Sequence, residues 1–248
     1  MREYNTFSIV ARCPRSGRLG VAVATAVPAV GAVCPYVRSG VGAVSTQSWV
    51  NPYLAIDVLD ALAAGATAAD ALDAVMAADA GRDLRQIGVV DAAGRSAAWS
   101  GAGCTPWFGQ IVGEGFAAQG NMLTGAGTID AMAAAFTHGE AADLDERLMR
   151  ALEAADKAGG DKRGKQSAAI RVHGKEAYAI IDARVDDHAE PVAELRRVLE
   201  IVRLQAVPFV TGMPKRDAPA GAAPAEVAAM LALSPPDRPG GGGSFPPR

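Results

Sequence analysis

The chain has 248 residues, 50% apolar and 21% charged, enough to build one large core or two small ones. Its net charge of −3 excludes a general basic footprint for nucleic acid, though not a local patch. Cys13, Cys34 and Cys104 are odd in number and form no C-x-x-C pair, which argues against a disulfide framework or a zinc site and fits a reducing, cytoplasmic setting.

The first predicted strand is "TFSIVAR", residues 6–12, behind the short polar stub "MREYN". Its partner is the apolar run 19–26, joined through "CPRSGR", whose Pro14, Ser16 and Gly17 supply hairpin chemistry. The longer stretch 19–34 is too short to span a membrane and is broken by Pro28, so it reads as a buried strand and a loop. It also lies too far from the start for a signal peptide. "VGAVSTQS" (41–48) is a further strand ending in polar residues. Two helices follow, over 51–65 and 67–81. Asn51 caps the first, Pro52 fits its opening turn and Gly65 stops it; Thr67 and Asp70 start the second.

"RQIGVVDAAGRSAAWSGAGC" reads as strand, turn, strand, and 113–123 as a short strand running into a loop. Helices are predicted at about 127–138 and 143–158, the second with Leu144, Leu148, Met149 and Leu152 on one stripe. "SAAIRV" and "EAYAIIDARV" form a hairpin across "HGK", and Pro191 starts a helix over 191–207. Strands in hairpins and helices in pairs give an α+β chain. The predicted architecture is a four-layer α/β/β/α sandwich of two mainly antiparallel sheets covered by helices. Strands such as "GVAVATAV", apolar almost throughout, suit sheets buried on both faces. The predicted division is a stub at 1–5, read as a propeptide, one domain over 6–210, and a disordered Pro/Gly/Ala-rich tail over 211–248 with at most a turn or two of helix at 224–233.

Several motifs are weaker than they look. "GGDKRGKQ" (159–166) nearly matches a phosphate loop, but Gln166 replaces the magnesium-binding hydroxyl. A helix also precedes it and a strand follows, the reverse of what that loop needs. The blander reading is a solvated basic turn; a sharper one has Lys162, Arg163 or Lys165 attracting a substrate carboxylate. A Ser-His-Asp triad has only His138, His173 and His188 to draw on, and the first two fall at a helix end and in a turn. Asp186, Asp187 and His188 lack a complete ligand set, so neither a metal nor a cofactor is expected.

A different base is then needed if the chain is a hydrolase. A Thr that becomes the first residue can be the nucleophile while its own amine serves as base. That amine has a pKa of about 7.7–8.0, close to neutral. This directs attention to Thr6.

The segments "NTFSIVARCPRSGRLGVAVAT", "VGAVSTQSWVNP", "RQIGVVDAAGR", "AQGNML", "GGDKRGKQSAAI" and "RVDDHAEPVAELRRVLE" resemble, in this order and over about 6–205, a bacterial family of unassigned function, domain of unknown function ten-twenty-eight. That family is grouped with the N-terminal-nucleophile (Ntn) hydrolases. The resemblance implies an Ntn-hydrolase-like sandwich and hydrolysis of an amide bond in a small soluble substrate, with the motif threonine falling on Thr6. Ser8 lies on the same strand face and is a pocket residue. Ser45, Thr46, Gln47 and Asn51, with Gln119 and Asn121, are candidates for oxyanion or substrate contacts. Asp161, Arg163, Gln166 and Ser167 would close the site from the later half. Superfamily members of the proteasome type use an early lysine; here the first lysine is Lys157, so the cation would be an arginine such as Arg12 or a lysine of the later loop. Thr6 would be exposed by cleavage after Asn5. The expected partners are a small-molecule substrate and further copies of the chain, with no nucleic acid and no membrane. The competing reading keeps the stub and makes the sandwich a non-catalytic binding or assembly protein.

Overall fold

The computed structural model describes residues 6–246. The expected stub 1–5 lies outside the described residues.

The fold grows from strands whose alternate residues face different layers. In β1 (Thr6–Arg12), Phe7, Ile9 and Ala11 enter one core cluster, while Val10 enters another. A strand buried on both faces needs a layer on each side. β2 (Leu19–Thr25) pairs antiparallel with β1, Thr6 opposite Thr25, and β8 (Phe116–Gly120) pairs with β1 on the other edge. With β7 (Gly109–Gly113), β9 (Ser167–His173) and β10 (Ala179–Val185) they form a six-stranded antiparallel sheet in the order β10-β9-β2-β1-β8-β7. The second sheet has the order β3-β4-β5-β6, from Pro35–Arg38, Gly42–Ser48, Arg85–Asp91 and Ser96–Ser100.

Helices close the two outer faces. α1 (Pro52–Ala63) and α2 (Ala68–Ala78) bury Leu54, Val58, Leu72 and Met76 against Val44, Ile87 and Val89 of the four-stranded sheet. α3 (Gly127–His138), α4 (Leu144–Lys157) and α5 (Pro191–Ile201) bury Met132, Phe136, Leu148 and Leu195 against the six-stranded sheet. The α+β expectation holds, and the two antiparallel sheets stack between helical layers. Between the sheets the apolar contact is small: Val10, Leu19, Val21, Ala43, Val90 and Ala117. Val23 and Ala169 continue that face against Val30 and Cys34, while the end holding Ser8, Gln47, Gln86 and Gln119 is polar.

Two strands, β3 and β7, were not expected. Both are edge strands. The helix predicted over 191–207 leaves α geometry at residue 201, passes through a π-helical turn at Val202–Ala206 and resumes as α6 (Val207–Gly212). The tail holds its helix within 224–233, where a turn or two was expected. It carries α7 (Ala225–Ala232), anchored by the buried Val227. It is also tied back through Tyr178 Oη to Pro214 O (2.9 Å) and through Gln205 Nε2 to Pro239 O and Gly241 O (both 2.9 Å).

Candidate functional site

One end of the sandwich gathers most of the residues singled out in the sequence. Antiparallel pairing brings there the start of β1, the ends of β2, β4 and β8, and the starts of β5 and β9. On the facing sides of the two sheets, uncharged amides and hydroxyls replace apolar packing. Ser8 Oγ donates to Gln47 Oε1 (2.6 Å) and accepts from Gln119 Nε2 (2.7 Å). Gln47 Nε2 donates to Gln86 Oε1 (2.7 Å) and to the carbonyl of Thr6 (3.2 Å). Gln86 in turn accepts from Asn121 Nδ2 (3.0 Å) and donates to Ser100 Oγ (2.8 Å) and Gly120 O (2.9 Å). Ser8, Gln47, Gln86 and Gln119 have no exposed surface and Asn121 has 1%.

Thr6 begins this chain of bonds. Its hydroxyl donates to Thr25 Oγ1 at 3.2 Å, and its carbonyl also accepts from Asn121 N at 3.0 Å. The network is incompletely satisfied: Ser45 Oγ, Gln119 Oε1 and Asn121 Oδ1 are buried with no hydrogen-bond partner. A buried polar group without a partner costs about 1–3 kcal/mol. The rim is also strained. Ala29, Ser48 and Met122 all have positive φ, at 57°, 66° and 52°. Ser48 directly follows Gln47, Met122 directly follows Asn121, and Ala29 adjoins Val30, whose N–H donates to Ser167 Oγ. Left-handed geometry costs a non-glycine residue about 1–2 kcal/mol, and such residues concentrate at functional sites.

Sheet approach explains Gly88. A Cβ there would lie 2.1 Å from Gln119 Oε1, so only glycine on β5 leaves room for that side chain between the layers.

The later half of the chain does reach this end. Lys162 N donates to Met122 O (3.1 Å) and Gln166 N to Thr25 O (2.7 Å), which seats the 159–166 turn against the ends of β8 and β2. Asp161 is buried and accepts from Arg163 Nη2 at 3.1 Å and from Arg163 N at 2.9 Å. Ser167 bridges to the loop after β2, donating to Val27 O at 2.6 Å. Gln166 Nε2 points away, to Asp187 Oδ1 (3.0 Å), and His188 Nδ1 accepts from Glu190 N (3.0 Å) before α5. The acidic cluster is therefore a strand end and helix entry. Among the described residues no group of three His, Cys, Asp or Glu is arranged to hold a metal.

Three of the sequence candidates stand outside this network. Thr46 and Asn51 do not join the network. Thr46 alternates onto the opposite face of β4, and its hydroxyl donates to Asn51 O (3.3 Å), while Asn51 Oδ1 caps α1 by accepting from Tyr53 N (3.2 Å). Arg12 cannot be the cation beside Thr6, because it ends the seven-residue strand that Thr6 begins, about 20 Å away. The 159–166 turn brings Lys162, Arg163 and Lys165 to this end, Arg163 paired with Asp161 and Lys165 with Asp156, and Arg85 starts β5 at the same end. Conversely, Gln86 and Ser100 were missed. The signal for Gln86 was a lone amide leading the apolar run 87–90 of β5.

The pattern of a family described as "Family of unknown function (DUF1028)" matches residues 6–195. The chain belongs to this family. A solved relative, described as the crystal structure of protein SPO2555 from Silicibacter pomeroyi and assigned to the same family, superposes with a TM-score of 0.80 at 28% identity. The match covers 88% of this chain and 99% of the other. No curated protein matches significantly. The DUF1028 match begins at Thr6, the first residue of β1, and its span contains the whole glutamine network. Among the described residues no helix is long and apolar enough to cross a membrane.

Proposed function

We propose that this DUF1028 protein is an amidohydrolase of the N-terminal-nucleophile type, acting on the amide bond of a small molecule through Thr6. The observation that carries the reading is the company Thr6 keeps. It opens the central strand at the polar, strained end of the sandwich, and the bonds that run from it among the described residues join amides and hydroxyls. In this reading the nucleophile takes its base from the main chain rather than from a histidine. Its own α-amine, once released, has an ordinary pKa of about 7.7–8.0 and fills the role. The hydroxyl of Thr6 attacks the carbonyl carbon, its proton passes through the amine to the leaving nitrogen, and water then releases the acyl group. Buried amide donors on Gln47 and Asn121 hold the Thr6 carbonyl region still, which is the rigidity such an attack needs. Asp161, Arg163 and Ser167 close this end and orient the substrate.

A second reading has one observation in its favour: Thr6 has no exposed surface. In it the residues before Thr6 stay attached and the sandwich serves as a metabolite-binding or assembly protein. Intact mass of the untagged protein separates the two. A chain beginning at Thr6, with amide turnover lost in Thr6→Ala at an unchanged melting temperature, supports the hydrolase. A chain that retains Asn5, with ligand binding indifferent to Thr6→Ala, supports the second reading and sinks the first.

A further inference from the structure

The opposite end of β1 holds a second concentration of polar chemistry. There the β1–β2, β5–β6 and β7–β8 turns meet α4 around a cleft of about 270 Å³. Its backbone frame is bonded: Arg12 N donates to Gly115 O (2.9 Å) and Gly115 N to Gly94 O (3.0 Å). Gly94, with φ +87°, lies under the arginine; a Cβ there would be 3.8 Å from Arg12 Cδ and Nη1. Arg12 Nε is buried and has no hydrogen-bond partner.

Arg147 of α4 is 5% exposed and also lines the cleft. Its Nε and Nη2 both donate to Phe136 O, at 3.3 and 3.2 Å, and its Cζ lies 3.9 Å from the centre of the Phe136 ring. These contacts fix the guanidinium but do not neutralise it. Among the described residues neither Arg12 nor Arg147 forms an ion pair. Arg15, the third arginine of the cleft, donates to Ala142 O (2.6 Å) and has Asp143 at 3.9 Å. The other acids, Glu114 and Glu140, are exposed at the mouth.

Burial of the Arg147 guanidinium is costly; among the described residues the only carboxylate acting on it from the cleft is the exposed Glu140, which is screened by solvent, and Arg15 beside it raises the cost. An anion in the cleft relieves both, and the planar donor fork of arginine matches an oxyanion. The volume lies just below the range of drug-sized pockets, which points to a small ligand. We propose that this cleft is a second binding site, for a small oxyanion (a phosphate or carboxylate group), held by Arg12, Arg15 and Arg147. It is independent of the chemistry assigned to Thr6.

The test is calorimetric titration of the full chain with inorganic phosphate and, separately, malonate, at ionic strength held constant with chloride. Saturable one-site binding is expected, weakened about ten-fold or more in Arg12→Gln. The tighter of the two anions identifies a phosphoryl or a carboxylate ligand. Should Arg12→Gln fail to fold, Glu140→Gln decides instead, since removing an exposed acid at the mouth leaves the core intact. Tighter binding in that variant supports the site and unchanged binding overturns it. Absence of saturable binding of both anions, or an affinity unaffected by Arg12→Gln, also overturns the proposal.

Discussion

Gln86 is the residue on which the polar interface converges. Its carbonyl oxygen accepts from Gln47 and Asn121, and its amide donates to Ser100, Gly120 and Gly109, so one side chain joins both sheets. Gln86→Leu keeps the volume and deletes the bonding. Asn121 Nδ2 and Gly120 O then lose these partners in a region without exposed surface, at about 1–3 kcal/mol for each group left unsatisfied. The expected loss is about 2–4 kcal/mol in urea denaturation, with the slope of the transition unchanged. A loss below about 0.5 kcal/mol would show that the network is not structural, a size typical of surface substitutions. At this scale the sequence was informative about type and poor on direction. "STQ" displayed three polar residues at a strand end, but only strand alternation in the folded sheet shows Gln47 facing the network and Thr46 facing away. Asn51 was correctly read as a cap and then given a second role that its contacts do not support.

Among the elements, α4 and α5 show how much of the fold a local pattern reveals. The apolar stripe of α4 marked its buried face, yet the feature joining the two helices is ionic. Glu146 accepts from Arg150 Nε (2.6 Å), Arg196 Nη1 (2.7 Å) and Arg203 Nη2 (2.8 Å). Burial pushes its carboxyl up, but the three guanidinium bonds outweigh burial and bring it from 4.5 to about 2. A carboxylate depressed in the folded state contributes stability that is complete above its unfolded pKa and is lost as pH falls through the folded one. The stability difference between the wild type and Glu146→Gln is therefore expected to be full above pH 4.5 and gone near pH 2. With the side chain 19% exposed, its size above pH 4.5 is about 1–2 kcal/mol. Urea midpoints of both proteins across that range measure it, and a gap independent of pH would contradict the assignment. The elements the sequence did not reveal have a common cause. β3 and β7 sit at sheet edges, with four and five residues, and half of their partners are missing. Both are short and only partly buried, "PYVR" and "GQIVG", so neither shows an apolar alternation long enough to read, unlike the edge strands β6 and β10, which were expected as partners of longer strands.

For the whole molecule, the order β10-β9-β2-β1-β8-β7 places the first strand between its hairpin partner β2 (Leu19–Thr25) and β8 (Phe116–Gly120), which the chain reaches only after completing the other sheet and β7. Local patterns cannot supply that order, because it follows from which faces must be covered once both sheets exist. The consequence for β1 is that its two ends emerge at opposite ends of the sandwich, with Thr6 in the glutamine network and Arg12 in the arginine cleft. The tail answers to different physics. α7 has eight residues, too few for a helix to be stable by itself, and Val227 is its only buried side chain. Burying one valine contributes about 1.5–3 kcal/mol, which sets the free energy for releasing the tail well below that of unfolding the sandwich. Hydrogen exchange is the measurement that separates the two. Amides of Ala225–Ala232 are expected to exchange by local opening, orders of magnitude faster than those of α4, and Val227→Ala is expected to speed the tail further without changing α4. Equal protection of the two helices would mean that the tail is part of the cooperative core, and the tertiary contacts of Gln205 and Tyr178 would then have to contribute more than their exposed geometry implies.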